Sequence, residues 1–338
     1  LIHGGVRYLE HGHLKLVFEA SRERRILLRT APHLVRPLQF TWPVYRGARI
    51  PRWQLRAGLG LYDVLALFGN VGRHRGLSSS GVLAAEPALA RDGLLGGASY
   101  WDAATDDAAI TLANVLDART AGAVVLNHAA LQALLVHLDR VTGASVRDEI
   151  AGDTFQVTAR VVVNATGPWT DAIRRMEDPF APSAVLGTKG VHIAVPADRI
   201  ANRAAVTMLS PVDGRVMFCL PGAGQTIIGT TDTHTDARPD AVRANRDDVR
   251  YLLDSANRFF PGAQLGPRDV IAAWAGIRPL VSSGNKGDPA SASREHAITT
   301  GARGIVAISG GKLTTYREIA EQVVNLVSRR LGRATGTC

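Results

Sequence analysis

A strand, a glycine pair and a helix follow one another near the end of this 338-residue sequence. Residues 304–309 form an apolar run typical of a buried strand, and apolar residues recur at helical spacing from Leu313 to Leu331. Between them, Gly310 and Gly311 predict a tight turn. This order favours a parallel sheet covered by helices, in which the free N–H groups of a helix start face the end of a strand. The segment therefore predicts an α/β fold with an anion- or cofactor-binding edge.

A second segment has the same character. From Phe155 to Val163 the sequence first alternates and then becomes continuously apolar, as in a strand that enters a buried sheet. It ends on the small residues Ala165, Thr166 and Gly167, followed by Pro168-Trp169. A nucleotide could pass over a strand end of this kind. Many ordinary strand-to-helix turns share the composition, so this motif alone is weak.

The remaining stretches have mixed patterns. Residues 185–232 contain short β runs separated by turns, which predicts an antiparallel sheet. Because such runs interrupt the α/β pieces, we expect two interleaved domains. Residues 34–45 form a predicted strand, placed at a sheet edge because Pro37 and Pro43 lack an N–H. Helices are predicted over 14–30, 53–68, 105–122 and 247–260, a short strand over 123–127, and a Gly- and Ser-rich loop with short elements over 69–100.

Composition and charge exclude several classes of protein. With 46% hydrophobic and 20% charged residues, the chain is neither disordered nor a coiled coil. Its two cysteines, Cys219 and Cys338, cannot form a disulfide framework or a four-cysteine zinc site. The net charge of +9 leaves a nucleic-acid or membrane-surface binder as a remote alternative, but no basic stripe accompanies it. We therefore predict no nucleic-acid partner.

The residue types that carry chemistry occur in short, separate motifs. Residues 1–8 place Gly4 and Gly5 just before Arg7 and Tyr8, which suits a backbone that approaches a ligand but also a plain glycine-initiated helix. Lys312 adds a cation to the helix start after Gly310-Gly311.

Two further candidates come from the middle of the chain. Arg278 follows an apolar strand, where it could equally be structural, and His192 lies among apolar residues, where a core histidine is common. We predict no metal site, since the carboxylates Asp102, Asp106 and Asp107 suit helix capping better.

Taken together, nine segments resemble one family, the FAD-dependent, quinone-linked glycerol-3-phosphate dehydrogenases. The segments are LIHGGVRYLE, APHLVRPL, TDDA, VVNATGPW, KGVHI, IIGTTDT, AGIRPLV, SREHAI and GGKLTTYRE, in the order of that family. The resemblance spans nearly the whole chain. It also implies that the family's N-terminal strand and GxGxxG turn would precede Leu1 and that a helical domain would follow Cys338, so we expect an internal fragment that is inactive by itself.

The resemblance implies a mixed α/β fold of the D-amino-acid-oxidase-like flavoprotein type. A partial, Rossmann-like FAD-binding domain would comprise residues 1–30, 105–180 and 295–338. An antiparallel substrate-binding domain would comprise residues 31–104 and 181–294.

The family's reaction is the oxidation of sn-glycerol 3-phosphate to dihydroxyacetone phosphate, with hydride passed to FAD and electrons passed on to quinone. An oxygen-using oxidase, or another FAD-dependent oxidoreductase of this fold, is the alternative. The resemblance implies His192 and Arg278 as catalytic residues. It implies four substrate-binding residues, which are Arg7, Tyr8, Arg294 and Lys312. It implies ten FAD contacts, which are Gly4, Gly5, Ala165, Thr166, Gly167, Trp169, Gly310, Gly311, Leu313 and Thr314.

The implied setting of the protein is also an expectation. Its partners would be glycerol 3-phosphate and a quinone, and a homodimer is consistent with the family. We expect a cytoplasmic location, with peripheral attachment to the cytoplasmic membrane through parts outside these residues.

Overall fold

The computed structural model describes residues 1–281 and 295–335. The chain forms two compact units, each built from two separate stretches. The first unit comprises Leu1–Asp106 and Lys189–Ile277, and the second comprises Asp107–Thr188 and Arg278–Cys338.

The helices are, in chain order, α1 (Leu14–Thr30), α2 (Arg52–Leu65), α3 (Ser79–Ala85), α4 (Asp107–Thr120), α5 (Thr170–Glu177), α6 (Ala197–Ile200), α7 (Arg246–Phe259) and α8 (Tyr316–Arg330). The strands are β1 (Val35–Tyr45), β2 (Arg75–Leu77), β3 (Leu94–Thr105), β4 (Ala129–His137), β5 (Arg140–Asp148), β6 (Thr154–Thr158), β7 (Val163–Asn164), β8 (Val185–Pro196), β9 (Ala205–Leu209), β10 (Val216–Pro221), β11 (Gln225–Gly229), β12 (Thr233–His234), β13 (Ala272–Val281), β14 (His296–Thr300) and β15 (Val306–Gly310).

One large sheet organises the first unit. Its strands follow the order β12-β8-β11-β10-β9-β1-β3-β2, and β13 pairs with β8. Most neighbours are antiparallel, whereas β1 and β9 are parallel. The core under α7 contains Val191, Ile193 and Val195 of β8, every second residue, packed with Leu252 and Ala256 of the helix. The antiparallel sheet expected for this part of the chain is confirmed.

The strand at residues 35–45 is confirmed, but its expected edge position is wrong. β1 lies between β3 and β9. Its pairing with β9 is confined to Phe40 and Thr41, so Pro37 and Pro43 stand outside that ladder. A proline is tolerated in an interior strand where the neighbour does not require its N–H.

The prediction of loop with short elements over 69–100 agrees with β2 and α3, but it misses the long strand β3. This stretch contains β2, α3 and most of β3. The β3 sequence is rich in small residues and lacks the alternation of apolar and polar residues. The sequence pattern therefore does not indicate a strand there. Gly97 shows why small residues are needed, since a Cβ there would lie 2.3 Å from the Trp42 carbonyl oxygen on β1.

The second unit contains two smaller sheets. β7, β15 and β14 form one, in which β15 is parallel to β7 and antiparallel to β14. β4, β5 and β6 form an antiparallel meander. The short strand predicted over 123–127 is wrong, because those residues follow the end of α4 in turn and coil conformation, and β4 begins only at Ala129.

Two sequence-based assignments differ from the structure. Residues 1–30 were grouped with 105–180 and 295–338, but they belong to the first unit, where α1 packs on α2, β1 and β3. Asp102 was expected to cap a helix, yet it lies in β3 as a buried partner of Arg24. Asp107 does occupy the first turn of α4. Which unit binds the cofactor and which binds the substrate stays a prediction.

Candidate functional site

The glycine pair at the start of the chain opens a short helical turn in the first unit. Gly5 has a left-handed conformation, with φ of 79°, and precedes the 3₁₀ turn Val6–His11. Its carbonyl accepts a hydrogen bond from Tyr8 N at 2.8 Å. The guanidinium of Arg7 lies over the Tyr8 ring, 5.9 Å from its centroid. Arg7 and Tyr8 therefore lie in one turn that Gly4 and Gly5 precede, and the turn starts from a backbone conformation that glycine adopts readily.

His192 is turned away from the core of its sheet. Because Val191 and Ile193 are buried under α7, the alternation of β8 directs His192 to the opposite face. Its ring stacks on Trp274 of β13, with centroids 5.6 Å apart and planes inclined by 12°. On the neighbouring strand, Gly229 is directly opposite His192. A Cβ at residue 229 would lie 2.0 Å from the imidazole Cδ2.

The histidine is thus held between an aromatic plane and bare backbone, and it is half-buried. This fixes the ring orientation while leaving part of the imidazole accessible, as a general base requires. The sequence analysis missed both supporting residues. Gly229 stands in the motif IIGTTDT and Trp274 directly precedes the motif AGIRPLV, but only strand pairing brings them to His192.

In the second unit, two predicted segments meet at one sheet edge. β7 and β15 are parallel, with Asn164 paired to Ala307, so the residues that follow each strand emerge at the same edge. The Thr170 hydroxyl donates a hydrogen bond to the Ile308 carbonyl at 3.2 Å, which ties the two segments together.

Asn164 shapes the first of these segments. Its side-chain amide donates to the Thr170 carbonyl at 3.0 Å, and its Oδ1 accepts from the Thr166 hydroxyl at 2.7 Å. Asn164 is buried, whereas Thr166 is exposed, and a Cβ on Gly167 would meet nothing within 4 Å. This turn is internally braced and open on its outer side.

The second segment is the glycine pair after β15. Gly310 and Gly311 have φ of 72° and 90°, values that other residues adopt only with strain. Space is limited too, since a Cβ would lie 2.5 Å from the Glu295 carbonyl oxygen at Gly310 and 2.6 Å from Ile319 Cδ1 at Gly311. The Lys312 ammonium nitrogen is buried just before the helical turn Leu313–Thr315 that leads into α8. The chain therefore sets a cation at a helix start.

These features fit a dinucleotide cofactor. The carboxyl ends of parallel strands are where open α/β sheets bind nucleotides. At this edge the structure supplies an open turn at Gly167, a left-handed glycine pair and the N–H groups of a helix start, which together form a cradle for anionic groups.

The remaining predicted residues are placed only in part. Arg278 lies in β13, half-buried, within the second unit. Arg294 lies outside the described residues. Across the part of the chain that the structure describes, no group of His, Cys, Asp and Glu side chains is arranged to hold a metal ion. Over the same residues, no helix combines the length and the apolar character needed to cross a membrane.

Comparisons with known proteins agree with this geometry. The chain is 36% identical to the aerobic glycerol-3-phosphate dehydrogenase of Staphylococcus saprophyticus over 336 residues, which cover 98% of this chain and 59% of that protein. Against the glycerol-3-phosphate dehydrogenase of Bacillus halodurans, solved in complex with FAD, the TM-score is 0.80 at 31% identity, over 94% of this chain and 56% of the other. The chain thus spans less than two thirds of the length of these relatives.

More distant structures share the fold alone. L-proline dehydrogenase from P. horikoshii superimposes with a TM-score of 0.70 at 15% identity, over 94% of this chain and 80% of that protein. The mixed α/β fold of the D-amino-acid-oxidase type is confirmed. A model of one protein family matches residues 1–317, nearly the whole described sequence. The chain therefore belongs to the family of FAD-dependent oxidoreductases.

Proposed function

We propose that the protein containing this chain oxidises sn-glycerol 3-phosphate to dihydroxyacetone phosphate, with FAD as the primary acceptor. The observation that carries the proposal is the 36% identity to an aerobic glycerol-3-phosphate dehydrogenase across 98% of the chain. The matched region covers nearly the whole chain, whereas L-proline dehydrogenase and glycine oxidase, at 15% and 20% identity, share only the fold.

The chain's own residues provide the cofactor contacts in this proposal. Gly310, Gly311, Leu313 and Thr314 would hold FAD at the helix start, where the backbone N–H groups would stabilise negative charge. The turn from Ala165 to Trp169 would hold a second part of the cofactor, and contacts of Gly4 and Gly5 with FAD stay a prediction. When bound, FAD supplies a hydride acceptor.

Substrate chemistry requires a base and a set of cations. The C2–H bond breaks as hydride leaves, the C2 hydroxyl loses a proton, and a carbonyl forms at C2. In our proposal His192 takes that proton. Arg278 and Lys312 stabilise the developing oxyanion and the phosphate, together with Arg7 and Tyr8, because a phosphate dianion favours charge-assisted hydrogen bonds. The same role for Arg294 stays a prediction.

The electron acceptor separates two versions of this function. A dehydrogenase passes electrons from the reduced flavin to quinone, and an oxidase passes them to oxygen. We favour quinone because the curated relatives are dehydrogenases. Reoxidation much faster with a soluble quinone than with oxygen is the expected result, and the reverse would establish the oxidase. A cytoplasmic location, peripheral membrane attachment and a homodimer remain predictions.

Substitution of the cations tests the assignment of the site. Each charge-assisted hydrogen bond contributes roughly 1.5 to 3 kcal/mol, so Arg278→Ala and Lys312→Ala in the holoenzyme should each lower kcat/KM for glycerol 3-phosphate about 10- to 100-fold. Arg278→Lys should recover little, because a point charge does not reproduce a planar fork.

The exposed residues Arg243 and Arg329 are matched controls. Their replacement by alanine should change kcat/KM less than about twofold, since solvent screens exposed charges. Equal, small effects at all four positions would refute the site assignment.

A further inference from the structure

A buried polar cluster lies directly beneath the first glycine of the chain. One carboxylate oxygen, Asp102 Oδ1 on β3, accepts three hydrogen bonds. The donors are Gly4 N at 3.1 Å, the Tyr62 hydroxyl at 2.6 Å, and the Arg24 guanidinium. The Arg24 and Asp102 side chains are only 1% and 4% exposed. The three side chains come from α1, α2 and β3, so three elements converge on the backbone of one residue.

The cluster is closed by further hydrogen bonds. The Tyr62 hydroxyl accepts from Arg24 Nη1 at 2.6 Å while it donates to Asp102. Burial, followed by the negative charge of Asp102, raises the pKa of Tyr62 well above its ordinary value, so its hydroxyl remains a donor. Arg24 Nη2 donates to Asn70 Oδ1, and Asn70 Nδ2 donates to Asp63 at 2.6 Å. A buried ion pair is tolerated when its remaining donors and acceptors are satisfied in this manner.

Gly4 packs against the cluster without room for a side chain. A Cβ at this position would lie 2.3 Å from the Tyr62 hydroxyl oxygen and 2.4 Å from Ser21 Oγ. Two residues earlier, Ile2 exchanges backbone hydrogen bonds of 2.9 Å with Ala103, next to Asp102 on β3. The chain start is therefore fastened to β3 at two neighbouring points, just before the turn that carries Arg7 and Tyr8.

We infer that Asp102, Tyr62 and Arg24 are positioning residues, which hold the Gly4 backbone so that the Val6–His11 turn presents Arg7 and Tyr8 to the substrate phosphate. The inference rests on the proposed function for the identity of the ligand. The central carboxylate of the cluster accepts from the backbone N–H of Gly4, directly ahead of this turn, and so couples the cluster to the place where the turn begins. The fastening itself is a property of the chain and is measurable without cofactor or substrate.

The test compares two buried tyrosines. Tyr62→Phe removes the hydroxyl that bonds Asp102. The control, Tyr100→Phe, removes an equally buried hydroxyl on β3 that contacts Thr207 Oγ1 at 3.1 Å instead. Tyr62→Phe loses the two hydrogen bonds of its hydroxyl, with Asp102 and Arg24, and Tyr100→Phe loses one, so both variants should lose thermal stability. Only Tyr62→Phe should loosen the chain start.

Two readouts distinguish positioning from general destabilisation. Amide hydrogen exchange of the peptide spanning residues 1–11 should accelerate at least about fivefold in Tyr62→Phe, which is the factor expected for the loss of one hydrogen bond. In Tyr100→Phe the same exchange should accelerate less than about twofold. In the holoenzyme, Tyr62→Phe should raise KM for glycerol 3-phosphate at least about fivefold with kcat changed much less, because phosphate contacts bind ground state and transition state alike.

Equal exchange rates in the two variants would overturn the inference, as would accelerated exchange with an unaltered KM. Should Tyr62→Phe not fold, Asn70→Ala at the half-buried end of the cluster should shift both readouts in the same direction, more weakly. Because exchange needs no ligand, a protein that fails to oxidise glycerol 3-phosphate would refute the proposed function while the exchange comparison still decides whether the cluster fastens Gly4.

Discussion

At the scale of single residues, the molecule relies on glycines where neighbouring groups leave no space. Gly229 illustrates this, since His192 occupies the volume that its Cβ would fill. The histidine gains a fixed orientation from this glycine and from the stacked Trp274. In the proposed role of His192 as base, a ring that is already oriented loses little entropy when it meets the substrate.

Gly229→Ala should therefore act through His192. The ring must move away from a methyl group that would otherwise lie 2.0 Å from Cδ2. A displacement of about 1 Å at a reacting group can lower rates up to about 100-fold, so we expect kcat/KM to fall about 10- to 100-fold. Gly58→Ala, in open space on α2, is the control and should stabilise the helix by about 0.5–1 kcal/mol without altering activity. A folded Gly229→Ala protein with full activity would exclude His192 from the reaction.

At the scale of secondary structure, local signals explain what the sequence could predict. The glycine pair before α8 and the helix at α1 were predicted because their signals lie within a few adjacent residues. The place of β1 between β3 and β9, and the length of β3, depend on pairing with distant strands, which periodicity does not record. The same holds for the site. Gly310 and Lys312 could be recognised in sequence, but the contacts of Asp102 with Gly4, and of Trp274 with His192, arise only in the folded sheet.

A buried carboxylate at the end of α3 provides a prediction for stability. Glu86 is fully buried and accepts hydrogen bonds from Arg203 N and Ala204 N, at 2.9 and 2.6 Å, ahead of β9. Burial raises its pKa above the ordinary value of 4.5, although the backbone hydrogen bonds oppose the shift. A raised pKa means that the folded state holds the proton more tightly than the unfolded state. The Glu86 contribution to stability is thus complete below about pH 4.5 and declines as the pH rises through the folded-state pKa.

Glu86→Gln should remove this dependence of the folding stability on pH, because glutamine does not titrate. At acid pH it should be about 1 kcal/mol less stable than the natural protein, because its amide nitrogen faces a backbone donor. As the pH rises toward neutrality the difference should shrink or change sign, since glutamine carries no charge to bury. Urea unfolding across this pH range measures the free energy of both proteins, with the exposed Glu149→Gln as control. A difference that does not vary with pH would contradict the assigned shift.

At the scale of the whole molecule, the question is which part of the protein selects the substrate. The FAD-dependent fold is shared with enzymes that oxidise amino acids, so the fold does not select the substrate. In the proposed function, the substrate is selected by cations and hydroxyl donors suited to a phosphate, which are Arg7, Tyr8, Arg278 and Lys312. An amino acid offers no phosphate to these groups, so the choice of substrate tests the assignment as a whole.

The most direct measurement is anaerobic reduction of the bound flavin in the holoenzyme that contains this chain. Mixing with sn-glycerol 3-phosphate should bleach the visible flavin band and release one dihydroxyacetone phosphate per flavin, while glycerol, glycine and L-proline leave the band unchanged. Bleaching by an amino acid, or an unchanged spectrum with saturating glycerol 3-phosphate, would contradict the account.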